Sequence, residues 1–317
     1  MDLTISVIIC THNRAESLRI TLDSLCGMMI PNQLQWELIV VDNNCTDHSS
    51  QVVSEFYNRL PIKIVRESAP GLSLARNKGV ASASGRYLIW TDDDVSVDPQ
   101  WLQNYRCLFE KYPEHVLFGG KSLPVFEEPI SKWFAESKNY MPDLLAIRDF
   151  GLDEKVISYA EGLMPFGLNY AIVREIQEKY LYNPSLGVAP GRRRGGEEVD
   201  VFNRVLLAGY KGIWTPNAVV CHRIPSDRQT KQYIRSYYWS AGEQRAEYHI
   251  SINSRRPIFG VPVKLVVKFL FLTIYLFIFK LFPGLMWVKI FASLSFSSGE
   301  IWQWRKSSKD KRQVTRE

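Results

Sequence analysis

The N-terminal third of the chain alternates short apolar runs with longer amphipathic stretches. Leu3 to Cys10 is apolar apart from Thr4 and Ser6 and reads as a buried strand. Thr11-His12-Asn13-Arg14 follows as a polar loop and cap, and a helical pattern occupies residues 15–26. Trp36 to Val41 predicts a second buried strand ending at Asp42, then a polar turn and a helix over 46–59. A short strand at 62–66 leads through Pro70-Gly71 into a helix over 72–84, which Gly85 closes. Arg86 to Trp90 forms a fourth strand that runs into Asp92-Asp93-Asp94. Apolar strands alternating with helices indicate a mostly parallel sheet covered on both faces. In such sheets ligands bind beyond the carboxyl ends of the strands. The clusters at 11–14, 42–44 and 92–94 fall at those ends, so they are expected to share one site although they lie far apart in sequence.

Beyond the triplet the pattern is less regular. Residues 99–111 read as a helix and 115–121 as a strand, while 125–160 reads as an irregular pocket wall with scattered Trp, Tyr and Pro. A helix over 197–208 ends at Gly209, and another, rich in Tyr, Trp and Arg, covers 227–249. The character changes at 257–296. Phe269 to Phe279 is apolar or aromatic apart from Thr273, with Lys264 and Lys268 before it and Lys280 after it. A membrane span needs about 20 such residues, so this run is short unless the lysines snorkel. Pro283-Gly284 breaks the helix before a second apolar run to Phe296, which predicts a membrane-embedded or re-entrant hairpin. A hydrophobic core or dimer helix is the alternative. The basic stretch 305–317 is expected to lack a fixed fold.

At 317 residues the chain has room for one large α/β domain and an appendage. Its net charge of +6 is unevenly spread. Residues 255–317 carry 12 basic and 3 acidic side chains, which leaves the preceding part mildly acidic. That distribution argues against a nucleic-acid-binding surface. A basic segment beside an apolar stretch suits an anionic membrane surface instead. The five cysteines include no C-x-x-C spacing, so neither a disulfide framework nor a zinc cluster is indicated. The N-terminus lacks the pattern of a signal peptide, so the α/β domain is expected at the cytoplasmic face of the cell membrane.

The acidic triplet carries the sharpest chemistry. Three carboxylates at a strand end repel one another unless positive charge sits among them. A hard divalent cation, Mg²⁺ or Mn²⁺, is the usual answer, sharing its shell with substrate phosphates. A solvated acidic turn is the alternative. Asp42 is placed to accept from the imide N–H of uracil or to contact a ribose; it also suits a helix N-cap. The Thr11–Arg14 loop offers hydroxyl, amide and guanidinium groups at a helix start, where phosphate or ribose binds. Arg76, in a helix of small residues, points to a diphosphate or base, or else to the surface. Glu197-Glu198 opens a helix after the glycine- and arginine-rich run 191–196; a carboxylate there suits the helix dipole, or a general base that takes an acceptor proton. Arg192-Arg193-Arg194 reads as a loop, solvated or touching an acceptor phosphate. His222 ends a strand-like run and is either structural or a metal ligand.

These segments together resemble the family 2 glycosyltransferases, which have the GT-A fold. The likeness runs through Val7-Ile-Ile-Cys-Thr-His-Asn-Arg14, Val40-Val-Asp-Asn-Asn-Cys-Thr-Asp47, Gly71-Leu-Ser-Leu-Ala-Arg-Asn-Lys-Gly79, Tyr87-Leu-Ile-Trp-Thr-Asp-Asp-Asp94 and Gly196-Glu-Glu-Val-Asp200 with Ala208-Gly-Tyr210. It covers about residues 1–225. The resemblance implies a Rossmann-like domain over 1–225, with a nucleotide-binding half at 1–120 and an acceptor half at 121–225. The remainder divides into a connecting helix at 226–256, the hydrophobic hairpin at 257–298 and a basic tail at 299–317. It implies that Thr11, Asn13, Arg14, Asp42 and Arg76 bind the nucleotide. Asp92 and Asp94 would be the ends of the D-x-D motif, with Asp94 the direct metal ligand, Asp93 holding ribose or metal, and His222 a further ligand. The Glu197-Glu198 pair stands where the family has Glu-Asp, so the base is one methylene longer here, with Glu198 favoured over Glu197. The implied reaction is a metal-assisted, inverting displacement. It moves a sugar from a nucleotide-diphosphate sugar, UDP favoured, to a lipid-linked or polysaccharide hydroxyl. A nucleotidyltransferase would usually carry glycine in the loop after the first strand, and this loop has none. A non-catalytic membrane-associated scaffold predicts lost carboxylates, whereas Asp92, Asp94 and Glu198 are present.

Overall fold

The structure is a computed structural model that describes residues 4–190, 192–193, 195–252, 257, 260–279 and 285–314. Its first four long strands follow the sequence pattern closely. They are β1 (Thr4–Thr11), β2 (Gln35–Asn43), β3 (Ile62–Glu67) and β4 (Tyr87–Asp92), with α1 (Ala15–Cys26), α2 (Ser49–Ser54) and α3 (Leu72–Ser82) between them. The helix expected over 46–59 is confined to α2, because Asp47 takes the backbone N–H of Ser49 and so fixes the start. All four strands pair in parallel, in the order β3-β2-β1-β4. In register, Thr11 lies opposite Asp42, and Cys10 opposite Asp92. The carboxyl ends of these strands are therefore level, and the three polar clusters meet at one edge.

The sheet does not stay parallel. After β5 (Val95–Val97) and α4 (Trp101–Lys111), β6 (Leu117–Phe126) enters beyond the parallel half. Next in the chain come α5 (Lys132–Ser137), β7 (Lys155–Val156), β8 (Asn169–Val173) and α6 (Arg174–Lys179). They are followed by β9 (Val188–Ala189), β10 (Arg192–Arg193), α7 (Glu197–Leu207) and β11 (Gly212–Ile224). β8 pairs antiparallel with β4 and β6, and β11 pairs antiparallel with β5 and β7. The result is a mixed sheet in the order β3-β2-β1-β4-β8-β6-β11-β5, with β7 joined to β11. β9 and β10 form a separate antiparallel pair, so the expected Arg192–Arg193 loop is a short hairpin arm; Arg194 lies outside the described residues.

Alternate residues of the central strands bury on opposite faces, as the two-residue strand period requires. Ile5, Val7 and Ile9 pack with Leu18 and Leu22 of α1 and with Trp101, Tyr105 and Phe109 of α4. Ile8, Ile39 and Trp90 face Ala75 and Val80 of α3 and Val201, Phe202 and Val205 of α7. Gly85 permits a close approach in this core: a Cβ there would lie 2.4 Å from the backbone N of Ser6. The five cysteines are unpaired thiols, four half-buried and Cys107 exposed.

The chain divides into two compact units. One comprises residues 1–125 and 146–223 and contains the sheet; the other comprises 126–145 and 224–317. Part of the segment expected to wall a pocket, 126–145, belongs to the second unit. That unit contains α8 (Lys231–Ile252), α9 (Val263–Phe279) and α10 (Met286–Val314). α8 and α10 cross closely through glycine. A Cβ on Gly299 would fall 2.0 Å from the carbonyl oxygen of Trp239, and one on Gly242 equally close to that of Phe296. The tail expected to lack a fold continues α10 as helix to Val314. The Pro283-Gly284 break lies outside the described residues. Among the described residues no helix is long and apolar enough to cross a membrane.

Candidate active site

The Asp92-Asp93-Asp94 turn leaves the sheet at the end of β4 and returns through β5. Its middle residue turns inward. Asp93 is 3% exposed, and its carboxylate accepts from the Thr11 hydroxyl at 2.7 Å and from Arg14 at 2.6 Å. A second nitrogen of Arg14 reaches Asp94 at 2.8 Å. Burial pushes the Asp93 carboxyl up to about 7, against the pull of Arg14 and with the push of Asp94. Pairing of β11 with β5 sets His222 opposite Val95, which brings its Nε2 to 3.4 Å from Asp94 Oδ2. Arg223 was not singled out from sequence. Its backbone N–H donates to the Asp94 carbonyl at 2.8 Å, and its guanidinium donates to the carbonyls of Val95 and Ser17, both at 2.7 Å. It therefore fixes the path of the acidic turn against α1. The only sequence signal was its place beside His222.

A second group forms on the other face of the turn. Arg76 of α3 is 4% exposed and lies between the rings of Trp90 and Tyr182, at 6.0 and 5.4 Å. Its guanidinium is 3.2 Å from Glu197, 3.7 Å from Glu198 and 3.8 Å from Asp92. Gly167 makes room for it, because a Cβ there would stand 2.6 Å from Arg76 Nη2. Asn77, one residue on, exchanges two hydrogen bonds with the backbone of Tyr182 and so fixes the ring that covers Arg76. The two glutamates differ in access. Glu197 is 2% exposed, whereas the Glu198 side chain is 15% exposed. Burial and the adjacent Glu198 push the Glu197 carboxyl up to about 8, against the pull of Arg76. Gly196 caps α7 in a left-handed conformation (φ 85°), and both glutamates in the first turn are favoured by the helix dipole.

The remaining sequence-predicted residues serve the frame. Asn13, also left-handed at φ 52°, accepts from the backbone N–H of Thr46 at 2.7 Å and of Asp47 at 3.3 Å. Asp42 is 6% exposed and accepts from the Cys45 backbone N–H at 2.7 Å and the Ser50 hydroxyl at 3.3 Å. Asp47, which sequence reasoning passed over, accepts the first N–H of α1 from Ala15 and that of Ser49 in α2. These contacts shape the loops after β1 and β2. Of the polar groups predicted to bind nucleotide, Arg14 keeps a third of its side chain exposed, whereas Arg76 is turned to the carboxylates.

Metal fit follows from the donors. Asp92, Asp94 and His222 supply oxygen and imidazole groups of the kind that hold hard divalent cations. Among the described residues no three or more His, Cys, Asp or Glu side chains gather as a ready-made site. The side chain of Asp92 is 40% exposed at the turn. The arrangement fits a cation whose shell is completed by substrate phosphates, and it does not form an all-protein cage.

Residues 6–143 match the profile of Glycosyl transferase family 2. That match covers a little under half of the chain. The chondroitin synthase of Escherichia coli is 36% identical over 103 residues, which are 32% of this chain and 15% of that one. The succinoglycan biosynthesis protein ExoM of Rhizobium meliloti is 24% identical over 246 residues, covering 76% of this chain and 74% of its own. The chain thus spans a small part of some relatives and most of others. A mannosyltransferase from Pyrobaculum calidifontis, solved with GDP-Man and Mn²⁺, superposes with a TM-score of 0.55 at 15% identity, covering 96% of this chain and 75% of that one. At that identity the match shows a shared GT-A fold. Asp92 and Asp94 lie inside the matched residues, and Glu197 and Glu198 lie beyond them.

Proposed function

We propose that this chain is a glycosyltransferase of the family 2 type that moves a sugar from a nucleotide-diphosphate sugar, UDP-linked by preference, to a hydroxyl of a growing polysaccharide or lipid-linked glycan. One observation carries the reading. The Arg76 guanidinium lies within 3.8 Å of Asp92 and within 3.7 Å of Glu198, so the donor-side turn and the acidic helix start are joined at one point. The acceptor class is suggested by relatives named for chondroitin and succinoglycan synthesis.

In this reading the acceptor hydroxyl attacks the anomeric carbon opposite the departing diphosphate, so configuration inverts. Glu198, the more accessible of the pair, takes the hydroxyl proton as the bond forms. Glu197 and Arg76 hold Glu198 in place from beneath. Arg14, with its exposed edge, meets the nucleotide phosphates at the start of α1. Asp92 and Asp94, with His222 behind Asp94, would hold a divalent cation. That ion supplies charge compensation for the leaving nucleotide diphosphate.

The test is nucleotide release from a panel of UDP- and GDP-sugars with Mn²⁺ or Mg²⁺, read without acceptor and again after EDTA, together with thermal shift by each donor. Release of nucleotide diphosphate that needs metal is expected with one donor class. If no donor is consumed and none raises the melting temperature, the reading fails.

A further inference from the structure

Within the second unit, α9 exposes an apolar surface unusual for a helix surrounded by water. No residue of α9 is buried. Leu265, Phe269, Leu272, Leu276 and Phe279 recur at helical spacing and are half-buried, which gives α9 one seam against α10. The opposite side is exposed and wholly apolar from Leu270 onwards apart from Thr273. Leu270 is 57% exposed, Phe271 58%, Ile274 58%, Tyr275 50% and Phe277 71%. The Thr273 hydroxyl donates within the helix to the Phe269 carbonyl, so it asks for no water.

The unit buries apolar groups such as Ile234, Ala246 and Trp304, and α10 adds polar ones among them. Ser295, Ser297, Glu300 and Gln303 of α10 are all buried, and Ser297 Oγ and Gln303 Oε1 have no hydrogen-bond partner. Small residues bring α8 and α10 backbone to backbone at Gly242 and Gly299. Tight small-residue crossings with polar groups inside and apolar groups outside are how helices pack where the solvent is hydrocarbon.

We infer that α9 seats this chain in an anionic lipid bilayer. The helix has 17 residues, or roughly 26 Å at 1.5 Å per residue, against a hydrocarbon core of about 30 Å. Charge picks the lipid. Lys264 and Lys268 stand exposed on the first turns of α9, Lys289 is exposed on α10, and residues 255–317 hold 12 basic against 3 acidic side chains. Lysine stems lie along apolar surface while their ammonium groups reach the headgroups. A protein partner would need one apolar face, whereas α9 from Leu270 onwards offers apolar surface around its circumference outside the seam, apart from Thr273. The inference is independent of the transferase reading.

Flotation of the full chain with vesicles tests it. Vesicles of phosphatidylglycerol mixed with phosphatidylcholine should carry the protein upward, more strongly than phosphatidylcholine alone and less strongly in high salt. Ile274→Glu with Phe277→Glu alters only the exposed side and leaves the seam to α10 intact. It should lower the partition coefficient at least tenfold with the helical circular dichroism unchanged. Leu207→Glu, an equally drastic change at the exposed last residue of α7, should float like the wild type. Wild-type protein that stays at the bottom of the gradient, or a double variant that floats unaltered, would overturn the inference. So would a concentration-dependent dimer, dissolved by the double variant and indifferent to vesicles, since a second copy would then cover α9.

Discussion

Gly167→Ala should disable the site without altering a single charge. The added Cβ would stand 2.6 Å from Arg76 Nη2, 3.2 Å from Nη1 and 3.3 Å from Cζ. Ordinary contact needs nearly 1 Å more. Arginine is flexible, but this one is 4% exposed and boxed in by Trp90, Tyr182 and the carboxylates. Retreat by about 1 Å lengthens its ion pair with Glu197, which lies at 3.2 Å, and weakens it by about 1 kcal/mol at an effective dielectric of about 20. Overpacking adds about 1–3 kcal/mol. The combined cost of roughly 2–4 kcal/mol corresponds to a melting temperature lower by about 5–10 °C. Misplacement of Glu198 by a similar distance should cut kcat/KM about 10²-fold. Thermal unfolding, donor turnover and calorimetric nucleotide binding would be measured side by side. In an Arg76→Met background the same alanine should cost little, because the atoms it strikes are gone. A Gly167→Ala protein with wild-type melting and turnover would refute the packing argument, and additivity with Arg76→Met would refute the proposed cause.

Glu198→Gln should lower turnover by about 10²–10⁴-fold while calorimetric nucleotide affinity is retained; normal transfer would move the base elsewhere. Gly299→Ala sets two effects against each other: a helix-propensity gain of about 1 kcal/mol and a Cβ placed 2.0 Å from the Trp239 carbonyl, where backbone cannot yield. The clash should win, and the α8–α10 helices should melt earlier by far-UV circular dichroism. Glu37 reports acid stability. Burial raises its carboxyl, but Lys63, the Ser6 and Ser84 hydroxyls and the Ser84 N–H outweigh that and hold it at about 2. A depressed folded pKa stabilises above the unfolded value near 4.5 and is lost as pH falls towards 2. With the side chain 20% exposed, the loss should be on the order of 2 kcal/mol. Denaturant midpoints of Glu37→Gln should therefore vary less than wild type between pH 5 and pH 2, and parallel curves would contradict this.

Local sequence determined much of the catalytic half. The strands β1, β2 and β4 were legible because each is a mostly apolar run that ends in a polar cluster, and buried parallel strands have that pattern. Their carboxyl ends were legible for the same reason, since polarity returns where the strand leaves the core. The family motifs added Glu197 and Glu198 by order along the chain. Other features depended on partners that no local period encodes. Antiparallel β8, β6 and β11 read much like the parallel strands, and only their pairing partners fix their direction. Residues 126–145 join the second unit because of what they pack against. The sequence marked Arg76 and Asp93 as ligand groups by type. Tertiary structure turned Arg76 under Glu198 and tied Asp93 to Thr11 and Arg14, because a buried charge must find its partner inside. It also separated two adjacent glutamates, burying Glu197 and leaving Glu198 reachable, since the orientation of α7 sets which side of its first turn faces the sheet. The apolar run at 269–279 was plain from composition. Which of its sides is covered emerged only when α9 and α10 were packed together.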